Sequence, residues 1–358
     1  MTLIKQIAAT SIKKLENLRY HNISNKIAYD VLASLKEEKG GFPIKLKRKA
    51  DEYAQEVLGW KGFAPWLYVY SHFTGEFKDG WIPDNFYGKV VIPKIQGAYG
   101  KVSMLKPLTN RLFEKNISPD LGYFINGTWF DTNYSQIPET NILKIFFTDT
   151  DKVIVKLDTT YQGKGIYVLT KSNFNISKLN KLGDFVIQKF IKQHEFFNSY
   201  TPDSVATIRL TTVVEISGHI SLRAAYLRLG RSTETHVQSI NHIRIPIEMK
   251  DGKLYELGYL PNWHQIKTHP DSDTTYLNKE IPNFKTCVNL ALGLHKKMPM
   301  VKAIGWDIVV DKNNQPIIME WNGYSNDIKF SEATQGPCFS DLNWNNLKVT
   351  DKLIARKK

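Results

Sequence analysis

Asp307, Glu320 and Asn322 are spaced as a hard-cation site would need them. Asp307 interrupts the apolar run from Ala303 to Asp311, and Glu320 lies near the end of a second run from Pro316 to Trp321. The polar stretch Lys312-Asn313-Asn314 between them predicts a turn, and hence two antiparallel strands. A carboxylate inside an apolar strand is costly unless it is paired, hydrogen-bonded or bound to a cation. Glu320 and Asn322 are two apart, so on a strand they share a face. Carboxylates together with an amide oxygen suit Mg²⁺, which fills its other positions with water and phosphate oxygens. A strand-end salt bridge is the competing reading, above all for Asp307 taken alone.

Lys156 sits in the run from Val153 to Leu157, and a loop containing Gly163, Lys164 and Gly165 separates it from the run Ile166 to Thr170. Backbone N–H groups of such a loop can cover phosphates, and the lysine adds a point charge. The Walker order of glycines and lysine is absent, and a strand rather than a helix follows. A plain hairpin turn is the alternative. Phe185 to Ile191 predicts another strand. Its polar end, with Gln188, Lys189, Phe190, Ile191 and His194, has the character of a nucleotide-base slot, or simply of a core strand. Arg209 is a lone charge in Thr207-Ile-Arg-Leu-Thr, which points to a buried ion pair or an anion contact.

The elements that position these residues follow from periodicity. Ile4, Ile7, Ala8, Ile12, Leu15 and Leu18, then Ile27, Val31, Leu32 and Leu35, recur at helical spacing until Gly40-Gly41. A second helix is predicted from Lys45 to Leu58, with Lys45, Lys47, Arg48 and Lys49 on a solvated face. The basic first helix is expected to dock on the rest of the protein rather than lie on a membrane surface. Residues 60 to 100 are aromatic and broken by Gly and Pro, which predicts short strands at best. Lys106 to Lys115 predicts a helix. Ala206 to Glu215 and His219 to Leu229 predict a hairpin through Ser217-Gly218, and Phe284 to Lys297 an amphipathic helix. Four regions result: 1–100, 101–195, 196–335 and a tail, 336–358.

Composition narrows the class. Among 358 residues, 42% are apolar and 12% aromatic, which excludes a globally disordered chain. No stretch of 18 apolar residues occurs, and no secretory signal is recognisable at the start. Cys287 and Cys338 are too few for a disulfide framework, so a reducing cytosol is the simplest expectation. The formal charge of +13 suits either a lysine-rich soluble surface or an anionic partner. No zinc-finger spacing, RNP-type motif or long basic tail marks a nucleic-acid binder.

Taken in order, these pieces resemble the ATP-grasp superfamily: Lys106 before a helix, strand lysine Lys156, the glycine loop Gly163 to Gly165, the strand Gln188 to Ile191, mid-strand Arg209, then Asp307 and Glu320-x-Asn322. Within it the chain is similar to the sugar-transfer-associated group found with bacterial surface-polysaccharide genes. Val186-Ile-Gln-Lys-Phe-Ile-Lys-Gln-His194, Ser204-Val-Ala-Thr-Ile-Arg-Leu-Thr-Thr212, His269-Pro-Asp-Ser272, Ile281-Pro282 and Gly305-Trp-Asp307 carry that similarity. It covers about residues 100 to 330. An aspartate often precedes the first lysine in the family, whereas here Leu105 does.

The resemblance implies an α+β fold in which two subdomains with antiparallel sheets clasp ATP, behind a helical N-terminal extension. It implies that Lys106 and Lys156 hold phosphates, that the glycine loop covers them, and that Asp307, Glu320 and Asn322 bind Mg²⁺. Arg209 would steady an acyl phosphate. The implied activity is ATP-dependent carboxylate–amine ligation, joining a uronic acid to an amino acid or amine in capsule or O-antigen synthesis. Arg223, Arg228, Arg231, Asn241, His242, His269 and Asp271 are candidates for holding an acidic sugar or glycan and the amine. Such a protein would be cytoplasmic, without nucleic acid, in peripheral contact with membrane-associated glycan machinery at the inner face of the membrane. The alternatives are a kinase acting on a sugar or carboxylate, and a non-catalytic basic module binding glycan or nucleic acid.

Overall fold

The computed structural model describes residues 3–114, 116–158, 165–231 and 242–347. It opens with helices α1 (Leu3–Lys39), α2 (Ile44–Glu56) and α3 (Ala64–Thr74). Gly40, at φ 85°, ends α1, with its N–H bonded to the Lys36 carbonyl at 2.9 Å. Only glycine adopts that left-handed cap without strain. Along α1, Ala28, Val31, Leu32 and Leu35 dock as expected and are buried, whereas Ile12, Leu15, Leu18, Ile23 and Ile27 are exposed.

Residues 60 to 100 correct the expectation of short strands. They form α3 and further helical turns through Ile95. Every residue of α3 from Ala64 to His72 is buried, so it lacks the one-sided stripe that identifies a helix in sequence. α1 and α2 flank it. The helix expected from Lys106 to Lys115 is shorter: a 3₁₀ turn, Lys106–Leu108, followed by Thr109–Leu112.

Two antiparallel sheets follow. The small sheet contains β1 (Asp120–Ile125), β2 (Thr128–Asp131), β3 (Lys152–Leu157), β4 (Ile166–Thr170) and β5 (Phe185–Lys189), ordered β2-β1-β5-β3-β4. The large sheet contains β6 (Thr207–Val214), β7 (Ile220–Leu229), β8 (Ile243–Pro246), β9 (Gly258–Tyr259), β10 (Gln265–Ile266), β11 (Ala303–Val310) and β12 (Pro316–Asn322). Its order is β10-β9-β8-β7-β6-β11-β12.

Strand periodicity sorts the large sheet into two faces. Ile208, Leu210, Ala225, Leu227, Ile304, Trp306 and Ile308 pack with Cys287, Ala291 and Leu294 of the amphipathic helix Phe284–His295. Ala224, Tyr226, Ala303 and Val213 pack with α1 to α3 on the other face. Cys338, Phe339, Leu342 and Trp344, from the stretch expected as a tail, join that same core. The N-terminal helices thus roof the sheet face that carries the polar residues described next.

Candidate active site

Register places the acidic residues together. Asp307 pairs with Glu320 on β12 and with Arg209 on β6, while Gly305 pairs with Asn322. Cross-strand partners share a face, so Asp307, Glu320, Asn322 and Arg209 emerge on one side of the sheet. The β11–β12 register shifts between Asp307 and Ile308, leaving Met319 as the extra residue of a bulge. A bulge releases one residue from the ladder and turns its strand. Here it lets Ile318 and Trp321 both enter the core while Glu320 points away from it.

Asp307, expected from sequence as a metal donor, is engaged by two guanidinium groups. Its Oδ1 accepts from Arg209 Nε at 2.5 Å and its Oδ2 from Arg209 Nη2 at 3.1 Å, and Arg228 also reaches Oδ1. Burial opposes its ionisation, but these guanidinium groups outweigh it and hold the carboxyl well below the usual range. Arg209 is fixed further by Asn326, whose Oδ1 accepts from Nη1 at 3.2 Å. Asn326 closes over Gly305, where any Cβ would overlap its side-chain oxygen.

Glu320 is different. It has no hydrogen-bond or ion-pair partner among the described residues and lines a cleft with Asn322, Ser103, Met104, Lys106, Asp158 and Ser325. Asn322 Nδ2 donates to the Gly305 carbonyl at 3.5 Å, which leaves its Oδ1 as the open acceptor. Lys106 Nζ donates to the carbonyls of Leu157 and Asp158 at 3.0 and 2.9 Å. Lys156 Nζ reaches the carbonyl of Met319, the bulged residue, at 3.4 Å. Burial pulls its ammonium below the ordinary lysine range, against the attraction of Glu320 and Asp120. Burial also pushes Asp158 up to about 6, and its Oδ1 is buried without a partner.

Two carboxyl groups, Glu320 and Asp158, one amide oxygen and two ammonium groups therefore meet where the two sheets face each other. That donor set fits a Mg²⁺ ion whose remaining positions are filled by phosphate oxygens and water. Among the described residues no three His, Cys, Asp or Glu side chains gather as a metal cluster.

The other candidates disperse. Gly163, Lys164 and Asn241 lie outside the described residues; Gly165 opens β4, and its carbonyl accepts from Leu157 N at 3.0 Å. Gln188 is buried on β5 and donates through Nε2 to Ser118 Oγ and Asp120 Oδ1, both at 2.9 Å, while its Oε1 has no partner. Lys189 is exposed, Phe190 lies under Lys152 and Ile191 is buried. His194 Nδ1 caps the short helix Glu195–Asn198 by accepting from Phe196 N at 3.1 Å.

Arg223 is withdrawn from the site, paired with Glu215 at 2.9 Å and Asp341 at 2.7 Å. It lies five residues from Arg228 along β7, about 17 Å at roughly 3.3 Å per residue. Arg231 is bidentate to Asp271 at 2.8 and 2.7 Å, and His269 is fully buried, its Nε2 3.0 Å from the Gly230 carbonyl oxygen. A histidine so enclosed holds the loop and has no surface for a substrate. His242 is also buried.

Arg244 and Asn326 were missed by sequence reasoning. Arg244 lies in Ile243-Arg-Ile-Pro, a lone charge among apolar residues, the signal that had singled out Arg209. Asn326 had no such signal, because its side chain meets Arg209 only through a contact 117 residues apart in sequence.

A family model described as sugar-transfer associated ATP-grasp matches residues 108–342, more than half of the chain. No curated protein matches the sequence. Among solved structures, the chain is similar to N5-carboxyaminoimidazole synthetase from Staphylococcus aureus complexed with ADP. The identity is 10%, the coverage 74% of this chain and 53% of that one, and the TM-score 0.39. It is also similar to a biotin carboxylase–β-γ-ATP complex from Campylobacter jejuni, at 12% identity, 74% and 49% coverage and a TM-score of 0.39. The chain spans about half the length of these structures. With its motifs in family order and two-thirds of its length matched, the chain belongs to the sugar-transfer associated ATP-grasp family.

Proposed function

We propose that the protein is an ATP-dependent carboxylate–amine ligase that forms an amide on an acidic sugar, most specifically between a uronic acid and an amino acid or amine in bacterial surface-polysaccharide synthesis. The observation that supports it is the cleft in which Lys106 and Lys156 face Glu320, unpartnered among the described residues, beside Asn322.

In this reading Lys106 and Lys156 leave their carbonyl partners for the phosphates of ATP. An ammonium about 4 Å from a phosphate charge gains roughly 4 kcal/mol at an effective dielectric of about 20, against about 1 kcal/mol in water. Gln188 to Ile191 flank the base. Glu320 and Asn322 would hold Mg²⁺, which neutralises charge developing on the transferred phosphoryl group. An oxygen of the substrate carboxylate attacks the γ-phosphorus, and ADP departs. The amine nitrogen then attacks the acyl carbon, phosphate leaves with the C–O electrons, and the amine gives up a proton. Arg209 and Asp307 form a fixed dipolar wall behind this centre, which orients without reorganising.

The test is an ADP-release assay on the full chain with uronic acids and a panel of amines, comparing wild type with Glu320→Ala. Amine-dependent ADP release with retained amide, lost at least 100-fold in the folded variant, is the expected result. Phosphoryl transfer that ignores amines would favour the kinase reading, and undiminished activity of the variant would remove Glu320 from the chemistry.

A further inference from the structure

The roofed face of the large sheet holds a guanidinium with no ion pair among the described residues, and the acid that attracts it, Asp327, is shared with Lys329. Arg228 and Arg244 are direct cross-strand partners on β7 and β8, a position in which like charges repel. Arg228 is compensated by Asp307 and donates through Nε to Thr207 Oγ1 at 3.0 Å. Arg244 is not. Its Nη2 reaches only the carbonyls of Leu260 and Pro261, at 3.4 and 3.3 Å, and its Nε is buried without an acceptor. The side chain is 7% exposed and lies against the rings of Phe330 and Trp263, 4.6 and 5.4 Å from their centres.

Neighbouring acids are already engaged. Asp327 is held by Lys329 at 2.7 Å, and the same lysine lies 3.9 Å from Asp84. Aromatic faces return about 2 kcal/mol to a desolvated cation, less than the several kcal/mol that burying an ion requires. Beside this array the Asn326 amide meets the Tyr87 hydroxyl, an acceptor within the protein. The guanidinium Nε is a donor, so what it lacks is an acceptor. A water could accept from Nε, but only an anion balances the buried charge.

We propose that Arg228 and Arg244 form a second anion site for an oxyanion, carboxylate or phosphate, carried by the acceptor away from its reacting group. β8 lies four strands from β12, which carries Glu320, about 19 Å at roughly 4.8 Å per strand. The acceptor is therefore an acidic sugar derivative with two anionic groups: one that reacts near Glu320, and a second that anchors it beneath the N-terminal helices. A nucleoside-diphosphate sugar and a glycan with a neighbouring uronate both meet that description. The inference rests on the ligase reading for which molecule bears the anion.

Thermal melting of the full chain without nucleotide tests the site, with sodium phosphate and sodium glucuronate titrated against sodium chloride at equal ionic strength. Wild type is expected to show a saturable rise in Tm with at least one anion, and the larger response identifies phosphate or carboxylate as the source. Arg244→Met, which removes a buried uncompensated charge, is expected to lose at least tenfold in apparent affinity. Arg244→Lys keeps the charge without the fork and gives the same readout, at about tenfold, should the methionine variant fail to fold. No saturable rise with either anion, or a variant that responds like wild type, overturns the proposal. ATP·Mg²⁺ added to wild type alone reads the nucleotide site separately. If that response is missing while the anion response persists, the ligase reading fails and this site stands.

Discussion

A carboxylate inside an apolar strand can be stabilised by a cation that belongs to the protein or by one that arrives with the substrate. Asp307 has the first kind and Glu320 awaits the second. The two residues are register partners on adjacent strands, yet Asp307 is held by two guanidinium groups while Glu320 faces the cleft. Removing one member of a buried charge group leaves the others uncompensated. Asp307→Asn therefore sets Arg209 and Arg228 side by side with no anion, and should cost about 3–5 kcal/mol in urea unfolding. Stability equal to wild type would mean that Asp307 meets some other cation in solution.

Small local departures from regular structure do the positioning at the level of elements. The bulge at Met319 turns Glu320 outward and offers a carbonyl to Lys156 from the opposite sheet. Gly305 permits Asn326 to lie on β11 and hold Arg209. Gly305→Ala forces those atoms apart, for an expected loss of about 1–3 kcal/mol together with reduced ADP release. Gly293, inside the helix Phe284–His295, is the control, since a Cβ there meets nothing within 4 Å. Gly293→Ala should be neutral or stabilising by about 0.5–1 kcal/mol, with activity unchanged. Equal effects of the two alanines on melting would refute the packing argument.

Across the whole molecule, a buried acid ties distant segments together. Glu332 is fully buried in the short helix Lys329–Thr334; its Oε2 accepts from Ile82 N at 2.8 Å and its Oε1 from Cys338 N at 2.7 Å. It thereby joins the N-terminal helices, the segment after the large sheet and the C-terminal stretch. Burial pushes its carboxyl up to about 7 from an ordinary 4.5, against the two backbone donors. The folded state thus keeps a proton that the unfolded chain releases, so this group's contribution to stability falls as pH rises from about 4.5 to about 7. His295, buried and pulled down to about 4, acts oppositely: its contribution is lost as pH falls from 6.5 towards 4. Only a difference measurement separates the two. The Tm of wild type minus that of Glu332→Gln should decline from pH 4.5 to 7 and flatten above it. A difference independent of pH would show that Glu332 does not titrate in this window.

Alternation and turn chemistry made much of this protein legible in its sequence. The hairpin Thr207–Val214 with Ile220–Leu229, the helix Phe284–His295 and the antiparallel pair that ends at Asn322 all follow from local pattern. The two-residue period of a strand alone puts Glu320 and Asn322 on one face. Helix α3 escaped because a helix buried on every side has no polar stripe to reveal its period. Which cation each acid meets escaped for a different reason. Strand register brings Arg209 to Asp307 across 98 residues and sets Arg228 beside Arg244, and no local pattern encodes register between strands so far apart. Residue type and spacing determined what chemistry was available to this chain; only the pairing of distant strands, and the helices packed over them, decided which charges are satisfied within the protein and which are left for a ligand.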